Sequence, residues 1–152
     1  MTLVPIIGRV LFALIFIAAA PRHFTSEGIH HAAELGVPFS SILVPLSGVL
    51  ALAGGLSVAT GYQLKWGALA LVLFLIPVTL GMHQFWRIED PVQHHVQLAM
   101  FAKNLSMVGA ALLIAFSARQ AVEHAPRIAP GETTMKVDRL ERGPGSAATS
   151  ED

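Results

Sequence analysis

The chain has 152 residues, of which 53% are hydrophobic and 13% are charged. This composition is more apolar than that of soluble globular domains and indicates a membrane protein. Ten basic and ten acidic residues balance, which argues against nucleic-acid binding, and the absence of cysteine excludes disulfides, thiol chemistry and iron–sulfur clusters.

Four segments are apolar over the roughly 20 residues that a helix needs to cross a bilayer. The first could instead be a secretory signal peptide, because Ala18–Ala20 resembles a cleavage site, but Arg9 within the segment and Pro21 after it favour an uncleaved helix. We therefore predict an all-α bundle of four transmembrane helices within residues 1–118. In chain order the predicted spans are Val4–Ala20, Ile42–Thr60, Leu64–Met82 and Leu98–Ser117.

The connections and the tail are interpreted from charge and composition. Thr25–Ser41 carries apolar residues interleaved with His30, His31 and Glu34, which predicts a short amphipathic helix at the membrane interface. Residues 119–152 are rich in charge, proline and glycine, and we expect a flexible cytoplasmic tail. Lysine and arginine are slightly more frequent on the side of the termini, which favours both termini in the cytoplasm.

The chain contains a weak internal repeat at a shift of about 60 residues. If the repeat is real, the first two spans are a parallel copy of the last two, and His23 and His83 occupy equivalent helix ends on the outer side. Chance similarity between leucine- and alanine-rich segments is the alternative. The second span is also rich in small residues, which predicts close helix packing or a face for another subunit. The aligned residues are Gly8 with Gly67, His23 and Phe24 with His83 and Phe85, and Leu46-Ser47 with Leu105-Ser106.

Polar residues gather where the third span ends, in the run FLIPVTLGMHQFWRIEDP. Pro77 removes a backbone donor inside the helix, so it is either a tolerated proline or a kink that re-aims the residues after it. Thr79 could satisfy the carbonyl that Pro77 leaves free. Trp86 is typical of an interfacial aromatic belt, and His83 is either a helix-end residue at the headgroups or a ligand-binding group.

The fourth helix is predicted to begin at Asp90 and Pro91, because aspartate is a favoured N-cap and proline a favoured first residue. Further along, Lys103 and Asn104 fall at membrane depth, where a charged group either snorkels to the interface or finds a partner in the bundle. Helical spacing puts His94 on the face of Asn104, and Lys103 on the neighbouring face. Both faces are therefore candidates for a functional polar stripe.

Seven histidines raise the question of a metal or a haem. No two of them have the i, i+4 spacing of a helical metal site, so the sequence predicts none. His23 and His83 could offer two axial ligands to a haem in a four-helix bundle. The sequence shows no serine–histidine–acid arrangement, phosphate-binding loop or pair of catalytic carboxylates.

The run PVTLGMHQFWRIEDP, followed by MFAKNLSMVGAALLIA, resembles the DoxX family of small four-helix bacterial membrane proteins. HFTSEGIHHAAELGVP and VPLSGVLALAGGLSVATGYQLKWGA fit the same family, so the resemblance runs from about Ile6 to Ser117. It implies a multi-pass protein of the bacterial inner membrane. The family is named after a subunit associated with a thiosulfate:quinone oxidoreductase, and most members have no established activity. The motif residues carried over are His83, Phe85, Trp86, Asp90, Lys103 and Asn104.

These features predict a quinone-interacting membrane subunit or accessory of an oxidoreductase system. The expected pocket lies near the outer interface. Its walls are the aromatic rings of Phe85, Trp86 and Phe101, and its hydrogen-bond donors are His83 and either Lys103 or Asn104. Expected partners are the lipid bilayer and other membrane or redox subunits, or a second copy of the chain. The alternatives are a non-enzymatic scaffold or assembly protein, a protein that binds or transports a small solute, and a haem protein. The predicted ligand-binding residues are His83, Phe85, Trp86, Arg87, Lys103 and Asn104, with His23, Asp90 and His94 as secondary candidates.

Overall fold

A computed structural model of the chain describes residues 3–123, and only the backbone of residue 119 and residues 121–123. Every regular element in this part is helical, as the sequence predicts, and two short 3₁₀ helices cover Ala20–Phe24 and Phe85–Arg87. The α-helices are α1 (Leu3–Ala19), α2 (Ser26–Glu34), α3 (Ser40–Thr60), α4 (Leu64–Met82) and α5 (Pro91–Glu123).

Four helical stretches in the described residues are long and apolar enough to cross a membrane. They correspond to α1, α3, α4 and the part of α5 up to Ala118, which confirms the predicted four-span bundle. The protein is therefore a multi-pass membrane protein. The stretches are Leu3–Phe24, Ser40–Thr60, Leu64–Arg87 and Pro91–Ala118.

The predicted ends of the first three spans agree with the structure to within two residues, and the largest difference is at the end of α5. α4 has the predicted bounds, and α5 begins at Pro91 with the backbone N–H of Gln93 donating to Asp90 Oδ1 at 2.7 Å. This bond confirms the prediction that Asp90 is the N-cap of α5. α5 then continues to Glu123, so the predicted boundary after residue 118 falls inside a helix, and the predicted tail from residue 124 onward lies outside the described residues.

α3 packs against both α1 and α4 through its small residues. Gly48, Ala51, Gly54 and Gly55 are buried at helical spacing. A Cβ on Gly67 of α4 would overlap Ser57 Oγ of α3, so glycine is required for the two helices to approach this closely. In lipid, where apolar association has no aqueous driving force, such close packing holds helices together. The small residues of α3 therefore serve the interior of the bundle.

The bundle core is formed by buried apolar residues from four helices, while many large apolar residues lie on the outer surface. This distribution is expected when the surrounding medium is hydrocarbon. The core residues are Ala13 and Phe16 of α1, Ala51 and Val58 of α3, Ala68, Leu71, Phe74 and Leu75 of α4, and Ala115 of α5.

The order of elements is the same in the two halves of the bundle. α1 leads through a 3₁₀ helix towards α3, and α4 leads through a 3₁₀ helix to α5. The predicted repeat thus matches the element order, with α2 as an addition in the first half. α2 is the short helix that the sequence predicts between the first two spans. Thr25 caps it, because Thr25 Oγ1 accepts from the N–H of Gly28 at 3.1 Å.

Candidate functional site

A cavity of about 610 Å³ lies between the first 3₁₀ helix, α2, α3 and the second half of α4. Its volume is within the roughly 300–1,000 Å³ of small-molecule sites. Most of the lining side chains are apolar, and they include Leu50, Phe74 and Met82. Two histidines, His23 and His83, line the same cavity. The structure thus brings together the two residues that the repeat relates.

His23 is fixed against α3. Its Nδ1 lies 2.9 Å from Ser47 Oγ, and its ring meets the ring of Phe74 at a centroid distance of 5.5 Å. Gly48 allows this approach, because a Cβ there would lie 2.6 Å from the Cβ of His23. The 3₁₀ helix that carries His23 therefore depends on a glycine in its neighbour.

His83 directly follows α4 and connects that helix to α5. Its backbone N–H donates to the carbonyl oxygen of Thr79, and its Nδ1 donates to Gln97 Oε1 at 2.7 Å. A carbonyl oxygen only accepts, so Nδ1 carries the proton in this bond. His83 is thereby held from a second helix while its ring lines the cavity.

Arg22 and His31, two polar residues of the lining, lie at an exposed rim. Arg22 Nη2 is 3.3 Å from Glu27 Oε1, and both side chains are largely exposed. His31 Nδ1 is 3.9 Å from Glu34 Oε2, also at the surface. Thr25 Oγ1 also donates to the carbonyl oxygen of Arg22 at 2.8 Å, and so ties the rim to the start of α2.

The cavity also reaches the apolar outer surface of the bundle. Four of its apolar lining residues are exposed, namely Leu43 and Leu46 of α3 and Leu73 and Pro77 of α4. They belong to the stretches that are apolar enough to cross a membrane. The cavity therefore has a mouth that faces hydrocarbon as well as a polar rim.

The predicted aromatic walls form a cluster outside the cavity. Phe85 contacts Trp86, His94 and Phe101 at ring-centroid distances of 5.1, 5.6 and 5.3 Å. None of the four lines the cavity. They join the second 3₁₀ helix to α5, beside the His83–Gln97 bond.

The remaining predicted site residues lie apart from the cavity. Arg87 is exposed and donates to Gln84 Oε1 at 2.8 Å, and Asp90 caps α5. Lys103 is exposed on the outside of α5 with its Nζ 3.3 Å from Met100 Sδ. Asn104 faces inward, with 5% of its surface exposed. Lys103 and Asn104, which the sequence-based prediction assigns to one site, therefore lie on different sides of α5.

The expectation that Thr79 satisfies the carbonyl freed by Pro77 is wrong. Thr79 is 6% exposed, and its Oγ1 has no hydrogen-bond partner among the described residues. A helical threonine reaches the carbonyl one turn before it, which here is that of Leu75, whereas Pro77 frees the carbonyl of Leu73. Within residues 3–123, no group of three or more metal-ligating side chains could hold a metal ion.

The comparisons with known proteins concern the first four α-helices. A family model described as DoxX matches residues 4–84, which is more than half of the chain. The chain belongs to the DoxX family. No curated protein and no solved structure matches it. The DoxX match covers both cavity histidines, whereas Phe85, Asp90 and Lys103 lie beyond it.

Two partners of the cavity histidines in this DoxX protein are missing from the sequence-based prediction. Ser47 is interpreted there as a small packing residue. Gln97 is on the predicted polar face of His94 and Asn104 but is not among the predicted site residues. The repeat offers a signal for Ser47, because it aligns Ser47 with Ser106. That signal does not extend to the second half, since Ser106 is exposed and donates to the carbonyl oxygen of Ala102, while Gln97 holds His83.

Proposed function

We propose that this DoxX-family protein is a quinone-binding membrane subunit or accessory of an oxidoreductase system. The observation that carries the proposal is the apolar cavity that His23 and His83 line together. A quinone needs an apolar slot with a small number of polar groups that orient its two oxygens. The cavity's hydrocarbon-facing mouth suits a lipid-soluble ligand.

The two rings are held from the protein side, which supports an orienting role. Nδ1 of His23 is bonded to Ser47 and Nδ1 of His83 to Gln97. No described residue bonds to either Nε2. The buried, unpartnered side-chain polar atoms of the described residues are Arg9 Nε and Thr79 Oγ1, so both Nε2 atoms reach accessible space. Each ring therefore keeps one nitrogen for a ligand.

Mass spectrometry of small molecules that co-purify in mild detergent tests this function. We expect a quinone at near-stoichiometric amount, and a loss of about tenfold or more in each of the variants His23→Ala and His83→Ala. His30→Ala and His95→Ala are matched controls, because these exposed histidines do not line the cavity. A wild-type preparation without quinone that also fails to bind added quinone would rule the function out.

Haem binding is a second candidate, favoured by the same pair of rings. Imidazole ligands of a haem iron coordinate through one nitrogen and donate the other N–H to a protein acceptor. Nδ1 of His23 and of His83 each lies within hydrogen-bonding distance of a side-chain oxygen that can accept. The purified protein would then show an intense Soret absorption that both His→Ala variants lose. Colourless protein that takes up no added haemin would exclude this candidate.

Localisation and partners are part of the proposal. We place the protein in the bacterial cytoplasmic membrane with both termini in the cytoplasm, so that the cavity lies near the outer surface. Other membrane or redox subunits, or a second copy of the chain, would supply the rest of the oxidoreductase system. Cysteine accessibility tests the orientation, because the chain has no native cysteine. A cysteine introduced at exposed Glu27 should react with a membrane-impermeant thiol reagent added outside, and one at exposed Tyr62 should not.

A further inference from the structure

Ser47 lies between His23 and a backbone carbonyl, and this position favours one tautomer of the His23 ring. Ser47 Oγ donates its single hydrogen to the carbonyl oxygen of Val44 at 2.7 Å. The same oxygen can then only accept from His23 Nδ1, at 2.9 Å. This arrangement favours the neutral His23 tautomer that carries its proton on Nδ1 and leaves Nε2 as a hydrogen-bond acceptor.

Gln97 favours the same tautomer of His83. Its Oε1 accepts from Nδ1 at 2.7 Å, so the Nε2 of the neutral His83 ring is also an acceptor. Two histidines in one cavity thus have the same tautomer, although their partners come from different helices, α3 and α5.

Other polar groups in the lining do not reverse this bias. The side-chain donors besides the histidine pair, Arg22 and His31, lie at the rim with 68% and 53% of their side chains exposed. The single hydrogen of Ser47 is already used. Pro77 has no N–H, so the carbonyl of Leu73, another lining residue, lacks its helical donor. Inside the rim, no other lining side chain therefore offers a free donor that would compete with the two histidine rings.

We infer that the cavity binds the reduced quinol in preference to the oxidised quinone, an inference that rests on the proposed quinone-binding function. A quinol has two hydroxyl groups, which can donate to the two Nε2 atoms. A quinone has two carbonyl oxygens, which can only accept and would face the two lone pairs. With one hydrogen bond gained at each end, the quinol should bind about fivefold to a hundredfold more tightly.

The test compares the two redox forms of one ligand. A short-chain benzoquinol, kept reduced under argon, and its quinone are titrated separately into wild-type protein in lipid nanodiscs, with empty nanodiscs subtracted. We expect the dissociation constant of the quinol to be lower by at least about fivefold. This measurement needs no variant, so it stands even if a substitution impairs folding.

Ser47→Ala tests Ser47 as a positioning residue. The substitution removes the side-chain acceptor beside Nδ1 of His23, so the tautomer with its proton on Nδ1 loses one stabilising bond and the tautomer that presents a donor to the cavity becomes more populated. We expect the quinol preference to fall by about threefold or more while the quinone binds as well as before or better. Ser106→Ala is the matched control, because exposed Ser106 also donates to a backbone carbonyl but lies outside the cavity.

The outcomes separate the two levels of the proposal. Quinol binding that is tighter in the wild type and in Ser106→Ala, with the preference reduced in Ser47→Ala, supports the inference. Equal binding of the two forms, or tighter binding of the quinone, overturns the inference and leaves the quinone-binding function standing. Binding of neither form overturns both.

Discussion

Replacement of Gly48 by alanine tests whether the close approach of the first 3₁₀ helix to α3 positions His23. The new Cβ would lie 2.6 Å from Cβ of His23 and 3.1 Å from the ring of Phe24. Carbon atoms in good contact are about 3.5–4.0 Å apart, so the 3₁₀ helix must move by about 1 Å. Such a shift would carry Nδ1 of His23, now 2.9 Å from Ser47 Oγ, beyond hydrogen-bonding distance.

The magnitude follows from two opposing contributions to the free energy of unfolding. Alanine in place of a helical glycine stabilises by about 1 kcal/mol, and overpacking destabilises by about 1–3 kcal/mol. Gly109 of α5 is a matched control, because a Cβ there meets nothing within 4 Å. The comparison of the two alanine variants cancels the propensity contribution. We expect Gly48→Ala to be less stable than Gly109→Ala by about 1–3 kcal/mol.

The assay is equilibrium unfolding in mixed micelles, followed by tryptophan fluorescence, with retention of the cavity ligand measured in parallel. Gly48→Ala should retain about tenfold less ligand than Gly109→Ala, because the histidine bond is lost. Equal stability of the two variants, together with equal ligand retention, would refute the argument that Gly48 positions His23.

Three further predictions concern the free energy of unfolding in the same assay. Asp90→Ala should cost about 1 kcal/mol through loss of the α5 N-cap, whereas Glu89→Ala, which removes an exposed neighbouring carboxylate, should be close to neutral; equal effects would contradict the cap. Thr79→Val removes a buried hydroxyl without a partner and should be neutral or stabilising by up to about 1 kcal/mol. The control Thr60→Val loses a hydrogen bond to the carbonyl of Leu56 and should not stabilise the protein. A larger loss of stability in Thr79→Val than in Thr60→Val would show that the Thr79 hydroxyl has a partner. Gln63→Asn should stabilise by a few tenths of a kcal/mol, roughly, because residue 63 has a φ of 49° and asparagine tolerates this region best among non-glycine residues; destabilisation would count against backbone strain there.

The membrane spans could be predicted from sequence because a helix needs a minimum number of apolar residues to cross the hydrocarbon layer. Hydropathy does not determine the residue at which the helix ends. The end of α4 coincides with the first polar run at His83, so its bounds are predicted correctly. At Ser117 the apolar run ends while the helix continues to Glu123, because residues beyond the hydrocarbon can stay helical. The start of α5 is predicted well, since Asp90 caps the helix through a purely local bond.

The site could be predicted only where symmetry or local spacing carries information. The repeat identifies His23 and His83, but the Ser47 that holds His23 is 24 residues away in sequence and is brought there by helix packing. Lys103 and Asn104 are adjacent, so they point about 100° apart on the helix. Which of them faces inward depends on the rotation of α5 against its neighbours, and the structure turns Asn104 inward.

The cavity mouth between exposed Leu43, Leu46, Leu73 and Pro77 makes the bilayer itself a competitor for the site. A ligand that enters there partitions into the membrane first, and lipid acyl chains reach the same opening. Occupancy should then follow the mole fraction of ligand among lipids and not its concentration in water. A headgroup analogue without an isoprenoid or alkyl tail would bind weakly even with every hydrogen bond in place. Thicker or more ordered membranes, whose chains fill the opening differently, would change the apparent affinity without any change in the protein.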